Sequence, residues 1–314
     1  MEGTIAITDY GWYEYLLSQP NIDEVNFWTP SSYWSFNAQI ESPFFFKLKA
    51  KYNHAICGFA FFVRFVRLPE WLAWDTFQEK NGCPTLESMH DRIKNIRKGI
   101  DFRGDNNSDI GCILLAQPTF FKREDWIIKP SDWPMPNLRP MRYNLETGEG
   151  YRIWNECQQR INPILINQKE VNVSIVADNK SRFGSPQIIL PRLGQGNFRI
   201  AVMEAYSRAC AITHEHSLPA LEAAHIKFFN KEGPNEVSNG ILLRADFHKL
   251  FDKGYITVTP DYRLEVSPHL KLDYDNGKSY YPLHGSFLNI PKSPSEAPSK
   301  EFLQWHNEKV YRAA

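Results

Sequence analysis

Residues 210–254, CAITHEHSLPALEAAHIKFFNKEGPNEVSNGILLRADFHKLFDKG, concentrate side chains that could cut a phosphodiester. Such a hydrolysis needs a base to deprotonate water and a cation to stabilise charge on the phosphorane and the leaving oxygen. A histidine, with an ordinary pKa of ~6.5, suits the base role at neutral pH. His225 ends an apolar run, 221–226, that reads as a strand and gives its ring a rigid mount. Asn239 stands just before Gly240 and the strand-like ILLR. There an amide can lace a loop to backbone groups and fix the hairpin that presents His225. His248 lies on a short amphipathic segment, and Asp252, four residues on, shares its helical face. A lone histidine on an apolar strand is ordinarily a packed core residue. Two histidines, an asparagine, a glycine-bearing loop and the HKLFDKG tail in this order point to a site instead. His214 and His216, in THEH, read as surface loop.

At 314 residues the chain is long enough for two domains with separate cores. Its 42% hydrophobic and 23% charged residues set aside disordered and fibrous classes. Five scattered cysteines argue against a disulfide framework and for a reducing cytoplasm. No apolar run approaches a membrane span and the first residues do not read as a signal peptide, so a soluble cytoplasmic protein is expected. Formal net charge is zero, so nucleic-acid binding has to rest on charge gathered locally. Lys47, Lys49 and Lys51 alternate as on one face of a strand, and Arg92, Lys94, Arg97 and Lys98 gather on one helix.

Residues 1–130 alternate β-like runs (TIAITDY, EVNFWTP, SPFFFKLKA, AICGFAFFVRFVRL, DIGCILLAQPTFF) with helical patterns at 11–19, 69–79 and 86–98. A compact barrel of mixed strands with flanking helices accommodates that order and gives an α+β fold. Residues 131–190 read as a connector: a Pro-rich arm, a short helix over 151–162 ended by Pro163, and a polar extended stretch. Residues 191–314 form the second domain, opening on RLGQGNFR and an amphipathic helix. Trp12, Trp28, Trp34, Trp71 and Trp74 all fall in the first quarter, and NFWTPSSYW sets Asn26, Trp28 and Trp34 about a Pro–Ser–Ser turn. Flat aromatic faces beside an amide can hold an extruded nucleobase, stacking on its ring and reading its edge. Core packing is the competing use of each tryptophan.

The 210–254 segment resembles the HNH, or ββα-metal, nuclease motif through the apolar LEAAHI, the loop NKEGPNEVSNG, the strand ILLR and the closing HKLFDKG. The resemblance implies His225 as general base, Asn239 as the residue that orders the loop, and His248 as ligand of one divalent ion, Mg²⁺ or Mn²⁺. It also implies products with a 5′-phosphate and a 3′-hydroxyl. Many members carry aspartate just before the first histidine as a second ligand; here that position is Ala224. Side chains alternate along a strand, so Glu222 points the same way and is a candidate replacement, with Asp246 and Asp252 as rivals. Some members hold a structural zinc through two Cys-x-x-Cys pairs; the sequence has none, and no structural zinc is expected. In the lead-in, Gln195, Arg199 and Arg208 are candidates for holding DNA phosphate.

Residues 1–130 resemble the EVE domain, one of the PUA-like small β-barrels, on NFWTP, FNAQIESPFFFKLK, ICGFAFF and LPEWLAW. Related barrels bind modified bases in an aromatic pocket. That role carries first to Trp28 and Asn26, then to Trp12, Trp34, Lys47 and Trp71. An EVE-like reader joined to an HNH nuclease resembles the type IV, modification-dependent restriction endonucleases. The resemblance implies a partner, double-stranded DNA carrying 5-methylcytosine or 5-hydroxymethylcytosine, with base flipping and defence against phage or foreign DNA. Cutting both strands takes two encounters or a homodimer, the dimer being favoured. Three other readings stay open: a nuclease for unmodified DNA or RNA, a binding protein whose site has decayed at Ala224, and a structural interaction module.

Overall fold

The computed structural model describes residues 1–31, 35–99, 109–135, 137, 139–169, 194–228 and 233–313. The chain divides into two compact units, Met1–Pro191 and Arg192–Ala314. No helix among the described residues is long and apolar enough to cross a membrane.

The first unit is built on six strands: β1 (Glu2–Ile7), β2 (Glu24–Thr29), β3 (Pro43–Lys47), β4 (Ile56–Pro69), β5 (Asp109–Phe120) and β6 (Met141–Asn144). Its helices are α1 (Tyr10–Ser18), α2 (Glu70–Phe77), α3 (Leu86–Gly99) and α4 (Gly148–Lys169). Asp9 starts α1 by accepting hydrogen bonds from the backbone N–H of Gly11 and Trp12. The strands lie in the order β2-β5-β4-β3-β1-β6, with β1 and β3 parallel and the other neighbours antiparallel. The uninterrupted apolar run PFFF that opens β3 is the mark of a strand covered on both faces, and all five residues of the strand, Lys47 included, are buried. Phe44 and Phe46 pack with Trp12, Tyr13 and Leu16 of α1. Phe45 packs on the opposite side with Ile5, Ile56, and Ile153 and Cys157 of α4.

This layering changes two expectations. Among the described residues β2 and β6 end the sheet without pairing to each other, so the expected closed barrel is an open six-stranded mixed sheet. Helices on both faces bury side chains that a barrel would turn inward from one face only. The domain boundary expected at residue 130 also moves. β6 pairs with β1, setting Thr4 opposite Arg142, and α4 fills one of the two cores, so residues 131–161 belong to the first unit and are not a connector. The helix expected to end before Pro163 runs on to Lys169, since a proline removes only one intrahelical donor even where it kinks the helix. Residues 170–190, the rest of the expected connector, lie outside the described residues, as do the first three residues of the expected second domain, 191–193. The three alternating lysines do not share a strand face either: β3 ends at Lys47 and residues Ala50–Tyr52 form a 3₁₀ turn.

The second unit contains α5 (Gln195–Ala205), β7 (Leu221–His225), β8 (Gly240–Arg244), α6 (Ala245–Asp252), β9 (Ile256–Val258), β10 (Leu264–Val266), α7 (His269–Tyr274) and α8 (Lys300–Lys309). β7 and β8 form an antiparallel hairpin that sets His225 opposite Gly240, and α6 follows β8 directly. Phe247 and Phe251 are the buried residues of α6. His306 of α8 is fully buried with its ring stacked on Phe251, centroids 3.7 Å apart. Its Nε2–H donates to the Phe251 carbonyl at 3.1 Å, and Nδ1 lies 2.8 Å from Thr257 Oγ1.

Burial holds the His306 pKa down at about 4, below the ordinary 6.5. The folded protein therefore requires a neutral ring that the unfolded chain protonates, so the stability it contributes is present above pH 6.5 and lost as pH falls through about 4. Thermal melts of His306→Gln at a series of pH values are expected to flatten that acid limb. At pH 7.5 the variant should lose about 1–2 kcal/mol, the order expected for a weakened hydrogen-bond pair.

Candidate active site

β7 supplies Glu222 and His225, and α6 supplies His248 and Asp252, a turn apart on one helical face. His248 Nδ1 lies 2.6 Å from Glu222 Oε2, and His248 Nε2 lies 3.4 Å from Asp252 Oδ2. Burial raises the Asp252 pKa, with the Glu222 charge adding to the shift and His248 opposing it. Asp246 goes elsewhere. Arg244 donates from Nε and Nη2 to its two oxygens, each at 2.7 Å, and the Tyr280 hydroxyl donates at 3.1 Å. That guanidinium holds the Asp246 carboxyl below its usual range. Of the three carboxylates considered for a metal, Glu222 and Asp252 reach His248 and Asp246 is taken by Arg244.

The His225 ring lies flat on Phe198 of α5, centroids 3.9 Å apart and planes 16° from parallel. Its Nε2 is 2.8 Å from Asn235 Oδ1. Burial is the main cause holding the His225 pKa below 6.5; the hydrogen bond to Asn235 opposes it and the nearby His248 adds to it. At pH 7 the ring is therefore neutral and keeps a lone pair, the state a general base requires. The stack depends on a missing side chain. A Cβ on Gly240, the cross-strand partner of His225, would come within 2.4 Å of Val202 Cγ2 and 3.0 Å of Phe198 Cζ.

Asn239 is fully buried. Its Nδ2 donates to the carbonyls of Lys227 at 3.0 Å and Pro234 at 2.9 Å, and its Oδ1 accepts from the Lys227 N–H at 2.8 Å. One amide thus ties together the two ends of the loop that leaves β7. Asn235 and Phe198 escaped the sequence reading. Nothing in the pattern distinguishes Asn235 from other polar loop residues, and Phe198 reads as ordinary helix core. In the lead-in, Gln195 is exposed at the start of α5, Arg199 is half-buried on it, and Arg208 donates from Nε to Glu204 at 2.7 Å.

Among the described residues no three His, Cys, Asp or Glu side chains converge as a ligand cage. Glu222 and Asp252 engage different nitrogens of one ring, and those nitrogens diverge. A hard ion such as Mg²⁺ asks less, being held by one or two carboxylates and completed by water. His248 Nε2 and Asp252 Oδ2, 3.4 Å apart, are the pair that could offer such an edge. Glu222, on Nδ1, has the position of the carboxylate that orients a ligating histidine.

In the first unit a cleft of about 570 Å³ is lined by Trp12, Phe27, Trp28, Lys49, Arg92 and Asn95, among others. Trp28 Nε1 donates to the Asn81 carbonyl at 2.9 Å, which fixes its ring. The edge of Trp12 lies on Gly82, where a Cβ would come within 2.0 Å of Trp12 Cδ1 and φ is +78°. Of the other residues considered for a base pocket, Asn26, Lys47 and Trp71 are not in the lining of this cleft. Asn26 is buried in β2, its Nδ2 donating to Asn81 Oδ1 at 2.9 Å and to Cys112 Sγ at 3.3 Å. Strand alternation turns Lys47 away from Phe46 and the Trp12 cluster. Its Nζ sits 4.6 Å from the Trp133 ring centroid and 3.3 Å from His54 Nδ1. Trp71 is exposed on α2, outside the cleft lining. Trp34 lies outside the described residues. Phe27, Lys49 and Arg92 enter in their place.

Residues 210–259 match the HNH_2 family, described as HNH endonuclease, so the ββα block is an HNH endonuclease domain. No curated protein matches the chain. Among solved structures, a ZmASCH mutant protein from Zymomonas mobilis aligns at 9% identity and TM-score 0.32, covering 49% of this chain and 96% of its own. A structure described as the modification dependent TagI restriction endonuclease aligns at 12% identity and TM-score 0.30, covering 98% of this chain and 81% of its own.

Two outcomes are expected. Gly240→Ala should cost about 1–3 kcal/mol from overpacking against Phe198 and Val202, read by denaturant unfolding, and should move the His225 ring resonances because the stack is displaced. Burial also pushes the Lys47 pKa from 10.5 down to about 8, so the charged amine weakens the fold fully below pH 8, and this cost fades as pH rises from about 8 to 10.5. Lys47→Met should therefore raise stability at pH 7 by about 1–3 kcal/mol, the scale seen when buried charge is replaced by apolar volume. The advantage should shrink toward pH 10.

Proposed function

We propose that this protein is a metal-dependent HNH endonuclease that cuts double-stranded DNA carrying modified cytosine. The observation that carries the nuclease half is a neutral, half-buried histidine, His225, clamped by Phe198 and Asn235 beside the Glu222–His248–Asp252 group. In this reading His225 takes the proton from the attacking water, and the oxygen of that water bonds to phosphorus. The P–O3′ bond breaks, leaving a 5′-phosphate and a 3′-hydroxyl. His248 and Asp252 would hold a divalent ion, Mg²⁺ or Mn²⁺, and Glu222 would keep the His248 ring in register. The ion, when bound, supplies positive charge for the phosphorane and the departing oxygen. Asn239 keeps the loop closed under His225. Gln195 and Arg199, on α5, are proposed phosphate contacts; Arg208, paired with Glu204, is the weakest of the three.

The recognition half rests on the aromatic cleft. A volume of about 570 Å³ falls within the range of small-molecule sites. Trp12, Phe27 and Trp28 give the cleft an aromatic lining on which an extruded base would stack, and Lys49 and Arg92 would bring positive charge to the neighbouring phosphates. Extrusion costs a few kcal/mol of unstacking, which stacking in such a cleft offsets. A modified cytosine adds a 5-substituent that an aromatic wall can contact. A homodimer would bring two such nuclease sites to the two strands.

The decisive assay uses three otherwise identical duplexes carrying cytosine, 5-methylcytosine or 5-hydroxymethylcytosine, with Mg²⁺ or Mn²⁺. The wild-type protein is expected to cut only modified DNA, His225→Ala to lose 10²-fold or more of the rate, and Trp28→Ala to lose the preference for modified DNA. Equal cutting of all three duplexes would keep the nuclease and remove the modified-base reader. Binding without cutting would identify a site disabled at Ala224.

A further inference from the structure

The two faces of the His225 ring and its two nitrogens are not treated alike by the surrounding protein. Phe198 covers one face at 3.9 Å, and Asn235 Oδ1 meets Nε2 at 2.8 Å. Nδ1 has no hydrogen-bond partner among the described residues. An amide oxygen can only accept, so Nε2 must carry the proton in this contact and Nδ1 must carry the lone pair. Asn235 itself is set by the fold. It follows Pro234, whose carbonyl accepts from Asn239 Nδ2 at 2.9 Å, and it sits in the loop that Asn239 also ties at Lys227. A second contact closes the same loop, the Gly233 N–H donating to the Phe228 carbonyl at 3.0 Å.

We propose that Asn235 is a positioning residue that selects the Nε2–H tautomer of His225 and so makes Nδ1 the atom that accepts the proton of the attacking water. The inference rests on the nuclease reading for its chemical meaning and on the Asn235 contact for its geometry. It assigns Asn239 an indirect part: the buried amide holds Pro234, and through Pro234 the acceptor that orients the base. A base with its proton on the wrong nitrogen cannot take another from water at the site, which is why the group behind a catalytic histidine matters as much as the histidine. Free neutral imidazole already leans toward the Nε2–H form, so the sharpest test changes the chemistry of the partner and does not merely delete it.

Asn235→Asp keeps an acceptor of the same shape, whereas Asn235→Lys supplies only donors and requires the lone pair on Nε2. The tautomer is read directly by ¹⁵N resonances of histidine-labelled protein, in which the protonated ring nitrogen is pyrrole-like and the bare one pyridine-like. Wild type and Asn235→Asp are expected to show Nε2 as the pyrrole-like nitrogen, and Asn235→Lys to show Nδ1. Cleavage kinetics provide the second readout, with the two variants moving in opposite senses for binding and only the lysine variant losing turnover. The added positive charge of the lysine variant should lower KM for DNA while kcat falls 10²-fold or more, the scale of a lost general base. The aspartate variant should bind DNA more weakly and retain kcat within a few-fold. Melting temperatures within a few degrees of wild type check that both variants fold.

Nδ1–H in the wild-type protein would overturn the proposal, as would a lysine variant that keeps both the Nε2–H tautomer and wild-type kcat. The tautomer is measured without turnover, so a wild-type protein that showed Nε2–H yet cut no DNA would support the positioning geometry and overturn the nuclease reading alone.

Discussion

A buried polar group has to find partners within the protein, and Asn239 meets that requirement with three backbone groups of one loop. Leaving such groups unpaired costs on the order of 1–3 kcal/mol each, so the loop has little freedom to open without dismantling the amide's surroundings. The rest of the site inherits this rigidity. With the loop closed, Asn235 meets the His225 ring; with Gly240 lacking a side chain, α5 comes close enough for Phe198 to lie on that ring. The imidazole is thus gripped by an edge contact and a face contact, each traceable to a residue that does no chemistry itself.

The same contrast separates what could be read from the chain before folding from what could not. His225, His248, Asn239 and the strand–loop–strand–helix order were legible because a hairpin and one helical turn lie close together in sequence. The Glu222–His248 contact could be anticipated from strand alternation, since Glu222 and Ala224 share a face. Asn235 and Phe198 were not legible, because their roles arise from a loop path and from the approach of a helix to a hairpin, which leave no periodic mark. In the first unit the run PFFFK announced a strand, and its burial on both faces meant layers of helix and sheet. A closed barrel was the expectation because nothing local in the sequence says that residues 141–144 return to pair with β1.

Tryptophans illustrate the limit most plainly. Trp12 and Trp28 line the cleft, Trp71 is exposed on its helix, and Trp133 shelters the Lys47 amine on the other side of the sheet. In one dimension all four are aromatic residues near polar neighbours. What sorts them is which face of which element each occupies. For Lys47 that is decided by a single step of strand alternation after Phe46. Asn26 is a similar case: its amide holds Asn81, whose carbonyl in turn anchors Trp28, so it shapes the cleft from behind without lining it.

The HNH match covers residues 210–259, yet the packing that supports this stretch comes from outside it at both ends. Phe198 comes from before the match, and His306, which caps Phe251 and Thr257, comes from after it. The nuclease motif in this chain is therefore not a detachable cassette. A recombination event, natural or engineered, that moved only the recognisable motif into a new protein would leave behind the helix that carries Phe198 and the ring that seals the base of α6. Inheritance of the activity would follow the boundaries of the packing, which are wider than the signature by which the motif is recognised.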